Sequence, residues 1–374
     1  MPDPKVSAVA AGTQPAPAGD APGRLSGALP WAVALQNGVV KYGFIVVTVA
    51  LLVFFAATQP AFGTSATVLN MLKLASVTAI LGLGMTFAMS VGGMDMSVGA
   101  QAGLAVQMAA MTMVFYNKNT FTAIVVVIVV GLCVGLLNAF LIVVCRIPDL
   151  LTTLAMMFII QGAGLIPVGG QSISSGMTMT NGNIAPGRFT DSFRFINNGE
   201  IGPIPVPVII MLVLFAVGWF VLARTKWGRI MYAVGANPTA VKLAGVRVGL
   251  YRGMAYVICG FLSSVAGLIL AARIGQGDVT AGSTSLLEAV AVALVGASVL
   301  GIGKPNPWGT LLGAILIIIT ITGLSMMGQP YYIQNTAEGV IILVALLFSY
   351  SIARKRMRFV PATNISQFKE EIGE

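Results

Sequence analysis

Histidine is missing from all 374 residues. Its absence removes the commonest general base and the commonest metal ligand. Charge is scarce too. Only 9% of residues are Asp, Glu, Lys or Arg, against about 25% in a soluble globular chain. The three cysteines, Cys133, Cys145 and Cys259, stand in apolar segments without CxxC spacing. They are expected as small buried residues rather than as redox or zinc groups. GxxxxGK[ST] does not occur, and GIGKPNPWG at 301–309 has neither its spacing nor its hydroxyl residue. With no nucleotide loop, no metal-ligand cluster and no activated nucleophile pair, neither a catalytic site nor a metal site is expected. The net charge of +9 does not argue for nucleic acid. The positive residues lie beside apolar runs, where membrane orientation accounts for them.

What is abundant is apolar: 57% of residues are hydrophobic, with 44 glycines and 19 methionines. Runs of about 20 apolar residues suit helices that cross a bilayer, and glycine lets such helices approach closely. The fold class is therefore all-α integral membrane, with about ten transmembrane helices. Their centres fall near residues 50, 81, 106, 132, 158, 213, 260, 292, 317 and 343. Residues 1–37, rich in Ala, Pro and Gly and lacking a signal-peptide core, read as a disordered cytoplasmic tail. Residues 38–353 form the transmembrane domain, and 354–374 a second cytoplasmic tail. With both termini inside, sixteen of the 21 Lys and Arg residues face the cytoplasm, as the positive-inside rule requires. The exceptions are Lys73, Lys118, Arg188, Arg194 and Arg273.

Four polar features interrupt the apolar pattern. The first is GGMDMSVG at Gly92–Gly99. Its glycines free the backbone, and Asp95 and Ser97 supply acceptors that can cap the next helix. A helix break at membrane depth lines a wet path or is buried in protein, so path lining and interfacial capping both stand. The second is an echo, GQGDVTAG at Gly275–Gly282. Five spans on, it shares G-x-x-D-x-[ST]-x-G, which suggests an inverted repeat. The third is the long outer segment 169–202, expected to dock or gate if it is more than a connector. The fourth is the inner segment 228–248, which holds GANPTAVKLAGV. Asn237 caps a short helix there, Pro238 suits its first position and Gly245 stops it. Ala240, Leu243 and Ala244 form one small apolar face. A helix of two turns is marginal alone and needs a partner surface. Single acids in apolar runs are costly and functional by default. Glu288 is expected to face the bundle interior and bond to another span. Glu338 reads as a helix-start charge. Asp149 reads as a cap of the fifth span, with Arg146 as partner.

Together these segments resemble the membrane permeases of ATP-binding-cassette sugar importers of the ribose, xylose and galactose type. GGMDMSVGAQAGL resembles the family's Gly-x-Asp-[Leu/Met]-Ser-Val-Gly signature. LLTTLAMMFIIQGAG, GRIMYAVGANPTAVKLAGVRV and LLEAVAVALVGASVLGIGKPNPWGTLLGAIL resemble its next three segments, in family order. The chain departs from the pattern at Glu288, where the family has Asp, at Ala297 within a Gly-Gly pair, and at Pro305 and Pro307.

The resemblance implies a permease of the bacterial inner membrane that binds no cofactor of its own. ATP is used by a cytoplasmic ATPase partner. A periplasmic binding protein delivers the sugar, and a second permease copy completes a homodimer or heterodimer. Segment 169–202 would then be periplasmic. The coupling contact with the ATPase would involve Gly235, Asn237, Pro238, Ala240, Leu243, Ala244 and Gly245. The substrate path would involve Asn70, Asp95, Ser97, Gln101, Gln161, Thr280 and Glu288. Two other readings remain. One is a branched-chain amino acid permease of the same superfamily. The other is a stand-alone ion-coupled transporter in which Asp95 and Glu288 carry protons.

Overall fold

The computed structural model of the chain describes residues 30–179, 181–298, 304–341 and 343–344. The chain divides into two units, Met1–Val39 and Val40–Glu374. The first contributes to the described residues only the opening turns of helix α1 (Pro30–Thr58). Residues 30–37, expected as tail, are thus helical. The rest of that tail and the tail at 354–374 lie outside the described residues.

The second unit is built of helices. Helix α2 (Ser65–Ser90) opens on Thr64, whose hydroxyl accepts from the Thr67 nitrogen. After an interruption, α3 (Val98–Ala110) ends in a π-helical turn, Met111–Phe115. Helix α4 (Thr120–Ala139) ends likewise at Phe140–Val144 and is followed by α5 (Asp149–Leu165). Next come the short α6 (Asp191–Asn198) and a two-residue hairpin, β1 (Glu200–Ile201) with β2 (Ile204–Pro205). The hairpin is antiparallel, with Ile201 opposite Ile204. Helix α7 (Val206–Trp219) leads to the paired α8 (Lys226–Ala236) and α9 (Pro238–Leu243). Then follow α10 (Val248–Ile274), α11 (Ser283–Ser298) and α12 (Pro307–Met326). Residues 331–341 are helical as well.

Among the described residues, 7 helices are long and apolar enough to cross a membrane: α2 to α5, α7, α10 and α12. Two shorter apolar helices cover Gly43–Thr58 and Ser283–Ala297. The expected count of about ten is therefore not reached by length and apolarity alone. The three remaining centres fall on these two shorter helices and near residue 343, at the edge of the described residues.

Helices α2, α3 and α10 pack at the middle of the bundle, with α4, α11 and α12 against them. The sequence of α3, VGAQAGLAVQMAA, explains its place. Its small residues are buried all round, as in a helix enclosed by others. Helix α4 is the opposite case. Val125, Val129 and Leu136 are exposed, as is Phe140 in the π-helical turn that follows, toward what would be lipid. Where α4 crosses α10 the two backbones touch. A Cβ on Gly260 would sit 3.1 Å from the Gly135 Cα. Such contact between small residues is the usual source of helix cohesion in lipid.

The echo seen in the sequence is also an echo in the backbone. Gly92 and Gly275 each open their motif with positive φ, 79° and 70°. In the first motif the Ser97 nitrogen and hydroxyl donate to Asp95 Oδ1. In the second the Thr280 nitrogen and hydroxyl donate to Asp278 Oδ1, at 2.8 and 2.7 Å. The closing glycines meet: a Cβ on Gly99 would lie 2.5 Å from the Gly282 carbonyl oxygen. The two motifs thus join end to end where α3 packs on α11. Segment 169–202 is tied down rather than trailing. Ile173 exchanges two backbone hydrogen bonds of 2.8 Å with Gly277, and the Gly187 nitrogen donates to the Val114 carbonyl.

Candidate functional site

Two arrangements stand out: a polar knot at the α2–α3 interruption, and the exposed pair α8–α9 beside it. The interruption is as expected from GGMDMSVG. Helix α2 ends at Ser90 and α3 begins at Val98. Broken backbone at this depth must find partners inside the protein, and neighbouring helices supply them. The Met94 nitrogen donates to Asp149 Oδ2 at 3.2 Å, and the Met96 nitrogen to Thr153 Oγ1 at 3.1 Å. The Tyr256 hydroxyl, from α10, donates to the same Asp149 oxygen at 3.1 Å.

Asp95 is fully buried. Its Oδ1 accepts from the Ser97 nitrogen at 2.9 Å and from the Ser97 hydroxyl, while Gln101 Nε2 approaches Oδ2 at 3.4 Å. The Cys259 side chain of α10 lies beside this carboxylate, in electrostatic reach of it. Ser97 Oγ in turn accepts from Gln101 Nε2 at 2.7 Å and from Asn138 Nδ2 of α4 at 3.0 Å. Five side chains from the interruption, α3, α4 and α10 therefore converge. Among the described residues, the Gln101 and Asn138 side-chain carbonyl oxygens are buried without a hydrogen-bond partner. Such groups are rare in native proteins.

Two expectations need correction. Ser97 does not cap α3 through its side chain. Its hydroxyl is drawn inward by Asp95, whose Oδ1 also accepts from the Ser97 nitrogen. Asp149 does not cap α5 either, and no ion pair joins it to Arg146 among the described residues. Pro148 precedes the helix without a side-chain cap, and the carboxylate reaches across to Met94 and Tyr256 instead. Cys259 and Asn138 were missed as members of the knot. Their apolar neighbours gave no signal beyond being polar residues within spans.

The other expected path residues stand apart. Thr280 is exposed and bound to Asp278. Glu288 is half-buried and accepts from Thr78 Oγ1 of α2 at 2.5 Å, with Arg273 in electrostatic reach. The expected bond to another span is therefore present. Gln161 is half-buried on α5. Asn70 is exposed beside Thr322 and Ser325 of α12, in a cavity of about 350 Å³. So Asp95, Ser97 and Gln101 come together, while Asn70, Gln161, Thr280 and Glu288 do not join them.

The α8–α9 pair follows the capping rules. Thr225 caps α8, with its hydroxyl accepting from the Gly228 nitrogen. Asn237 both ends α8 and caps α9, and its Oδ1 accepts from the Ala240 nitrogen at 3.0 Å. Pro238 fills the first position. Gly245 stops α9 with φ of 79°, and the Val246 nitrogen returns to the Val241 carbonyl at 3.2 Å. That closure is the common helix stop. No residue of α9 is buried, and Leu243 is 84% exposed. The face Ala240–Leu243–Ala244 is thus uncovered. Helix α8 is held instead: Met231 and Val234 are buried, and the Tyr232 hydroxyl donates to the Pro305 carbonyl at 2.6 Å. Burial pushes the Tyr232 phenol up to about 12.

Gly235, expected at the ATPase contact, faces the other way. A Cβ there would lie 2.5 Å from the Ser90 carbonyl oxygen and 3.0 Å from the Gly92 nitrogen.

Comparison with known proteins gives consistent results. The family described as branched-chain amino acid transport system / permease component matches residues 67–349. A ribose import permease protein of Haemophilus influenzae is 32% identical over 309 residues, covering 83% of this chain and 93% of its own. A ribose import permease protein of Escherichia coli K12 is 32% identical, with coverage of 80% and 91%. A xylose transport system permease protein of Haemophilus influenzae is 28% identical, with coverage of 83% and 96%. No solved structure matches the chain.

Proposed function

The chain belongs to the family of permease components of ABC importers, on its sugar-importing side, and from that premise we propose that it carries a monosaccharide into the cytoplasm. The substrate class is a ribose-like pentose, a hexose or a related polyol. The driving force is ATP hydrolysis on separate cytoplasmic subunits, and a periplasmic binding protein delivers the sugar. A second permease copy completes the transmembrane unit in the inner membrane.

The observation that carries this reading is α9. A two-turn helix capped at both ends, with a small uncovered face, needs a partner surface to be stable. A cleft in an ATPase subunit fits that face. In this reading α1, α11 and the helix at 331–341 complete ten spans, with both termini cytoplasmic and segment 169–202 periplasmic. The matched motifs at Gly92–Gly99 and Gly275–Gly282 then relate two inverted halves. Transport would proceed by alternating access, a common mode for inverted repeats. The polar knot around Asp95, Ser97 and Gln101 would be a closed part of the path. Asn70, Gln161, Thr280 and Glu288 would line its wetter reaches.

A second reading keeps the same drive but a different cargo. The family's own description names branched-chain amino acids. One experiment separates the two. The chain is reconstituted in liposomes with its ATPase and binding protein, and uptake of ribose and of leucine is measured. ATP-dependent ribose uptake is expected. Leucine uptake in its place would move the substrate class. Uptake driven by a pH gradient without ATP would overturn the importer reading.

A further inference from the structure

We propose that Gly235 and Gly92 form a rigid joint through which α9 moves the Asp95 knot. The proposal rests on the importer reading above and adds the route of transmission.

The path is short and made of backbone. Helices α8 and α9 share Asn237 as last cap and first cap, so no slack separates them. At the end of α8, Gly235 sits against the interruption of α2 and α3. Its missing Cβ would fall 2.5 Å from the Ser90 carbonyl oxygen. From the other side, a Cβ on Gly92 would lie 3.3 Å from both the Cα and the carbonyl oxygen of Gly235. Gly92 also has φ of 79°, a region other residues rarely adopt. Both partners thus need glycine for space, and one needs it for conformation as well.

The strip beyond the joint is clamped. The nitrogens of Gly92 and Gly93 return to the carbonyls of Met89 and Ala88 at 3.0 Å. A Cβ on Gly93 would stand 2.7 Å from Asp149 Oδ2, the oxygen that also holds the Met94 nitrogen. Asp95 is the next residue. The backbone from Ser90 to Gly92 therefore rests directly on the backbone of Gly235, and the Met94 nitrogen beyond it is tied to the Asp149 carboxylate. Side chains can yield by changing rotamer, but a backbone contact cannot. In close-packed structure such a contact passes displacement on. The far flank of α8 is held as well, by Tyr232 on the Pro305 carbonyl. A shift of α9 under an ATPase then has a firm route to Asp95 and its partners on α3, α4 and α10.

The test uses the full complex of permease, ATPase and binding protein. Amide hydrogen exchange is measured on the wild type, before and after trapping the ATPase with ATP and vanadate. Exchange in the peptide covering Gly92–Ser97 should change together with that in 237–245, since groups that open locally report such shifts. A change in 237–245 with none in Gly92–Ser97 overturns the joint. In parallel, Gly235→Ala should lower sugar moved per ATP hydrolysed by about tenfold, within the range for mutations along coupling routes. Stimulated hydrolysis should persist. A wild-type ratio in that variant also overturns the joint. Should the variant fail to insert, the wild-type exchange measurement decides. Absence of ATP-driven uptake by the wild-type complex would instead sink the importer reading, so the two failures are distinguishable.

Discussion

Asp95 has no exposed surface, yet its carboxylate takes up the donors around it. An intramolecular hydrogen bond contributes about 0.5–1.5 kcal/mol net, and leaving a buried partner unsatisfied costs about 1–3 kcal/mol. Asp95→Asn keeps the shape but puts an amide donor where Asp95 Oδ2 accepts from Gln101 Nε2, so that contact is lost unless the Gln101 amide turns over. Transport should fall by about tenfold, the equivalent of the roughly 1–3 kcal/mol lost when a buried polar group is left unsatisfied. The protein should still insert, because no span is altered. Wild-type uptake by Asp95→Asn would remove the residue from the mechanism. Residues were unevenly legible. Asn237, Pro238 and Gly245 follow local rules, so the capped helix could be read directly from GANPTAVKLAGV. Asp149 followed no local rule. Its partners Met94 and Tyr256 lie 55 and 107 positions away, and no spacing pattern spans such distances. Gly235 shows the same limit: its neighbour in space is the interruption, not the loop that contains it.

The elements were read better than their roles. Hydropathy placed the long helices because a bilayer demands about 20 apolar residues for each crossing. It placed the interruption at Gly92–Gly99 because two glycines and an aspartate cannot continue an apolar helix. It also put a span centre near residue 292, on α11, whose 16 residues, Ser283–Ser298, fall short of a full crossing. It could not show that segment 169–202 is pinned through Ile173 and Gly187. The sidedness of the two polar segments gives the prediction at this scale. Native Cys133 and Cys145 are exposed rather than buried as expected, so in a variant with both replaced by Ser, cysteines introduced at Ser174 and Lys242, both exposed, should react with a membrane-impermeant maleimide from opposite sides. Ser174→Cys should label in intact cells after outer-membrane permeabilisation, and Lys242→Cys only in inverted vesicles. Labelling of both from one side would contradict an odd number of spans between them.

At the scale of the molecule, the interruption, the α8–α9 pair and the buried helices α3 and α10 form one connected body. The knot ties α3, α4 and α10. The joint ties the knot to α8. Helix α9 stands outside with its small face uncovered. The sequence motifs pointed separately to the interruption and to the short capped helix, and the family model matches residues 67–349. They did not show that the end of α8 meets the interruption before Asp95 backbone to backbone, at Gly235 and Gly92, because that contact exists only once the helices are packed.

The measurement that tests this account most directly is the ratio of sugar transported to ATP hydrolysed when the face of α9 is spoiled. Ala240→Glu places a bulky charge on that face without touching any span. The account predicts that the complex still inserts and that the ratio collapses by about tenfold or more, as when a buried interface contact is lost. An unchanged ratio in Ala240→Glu would contradict the claim that α9 is where this protein is driven.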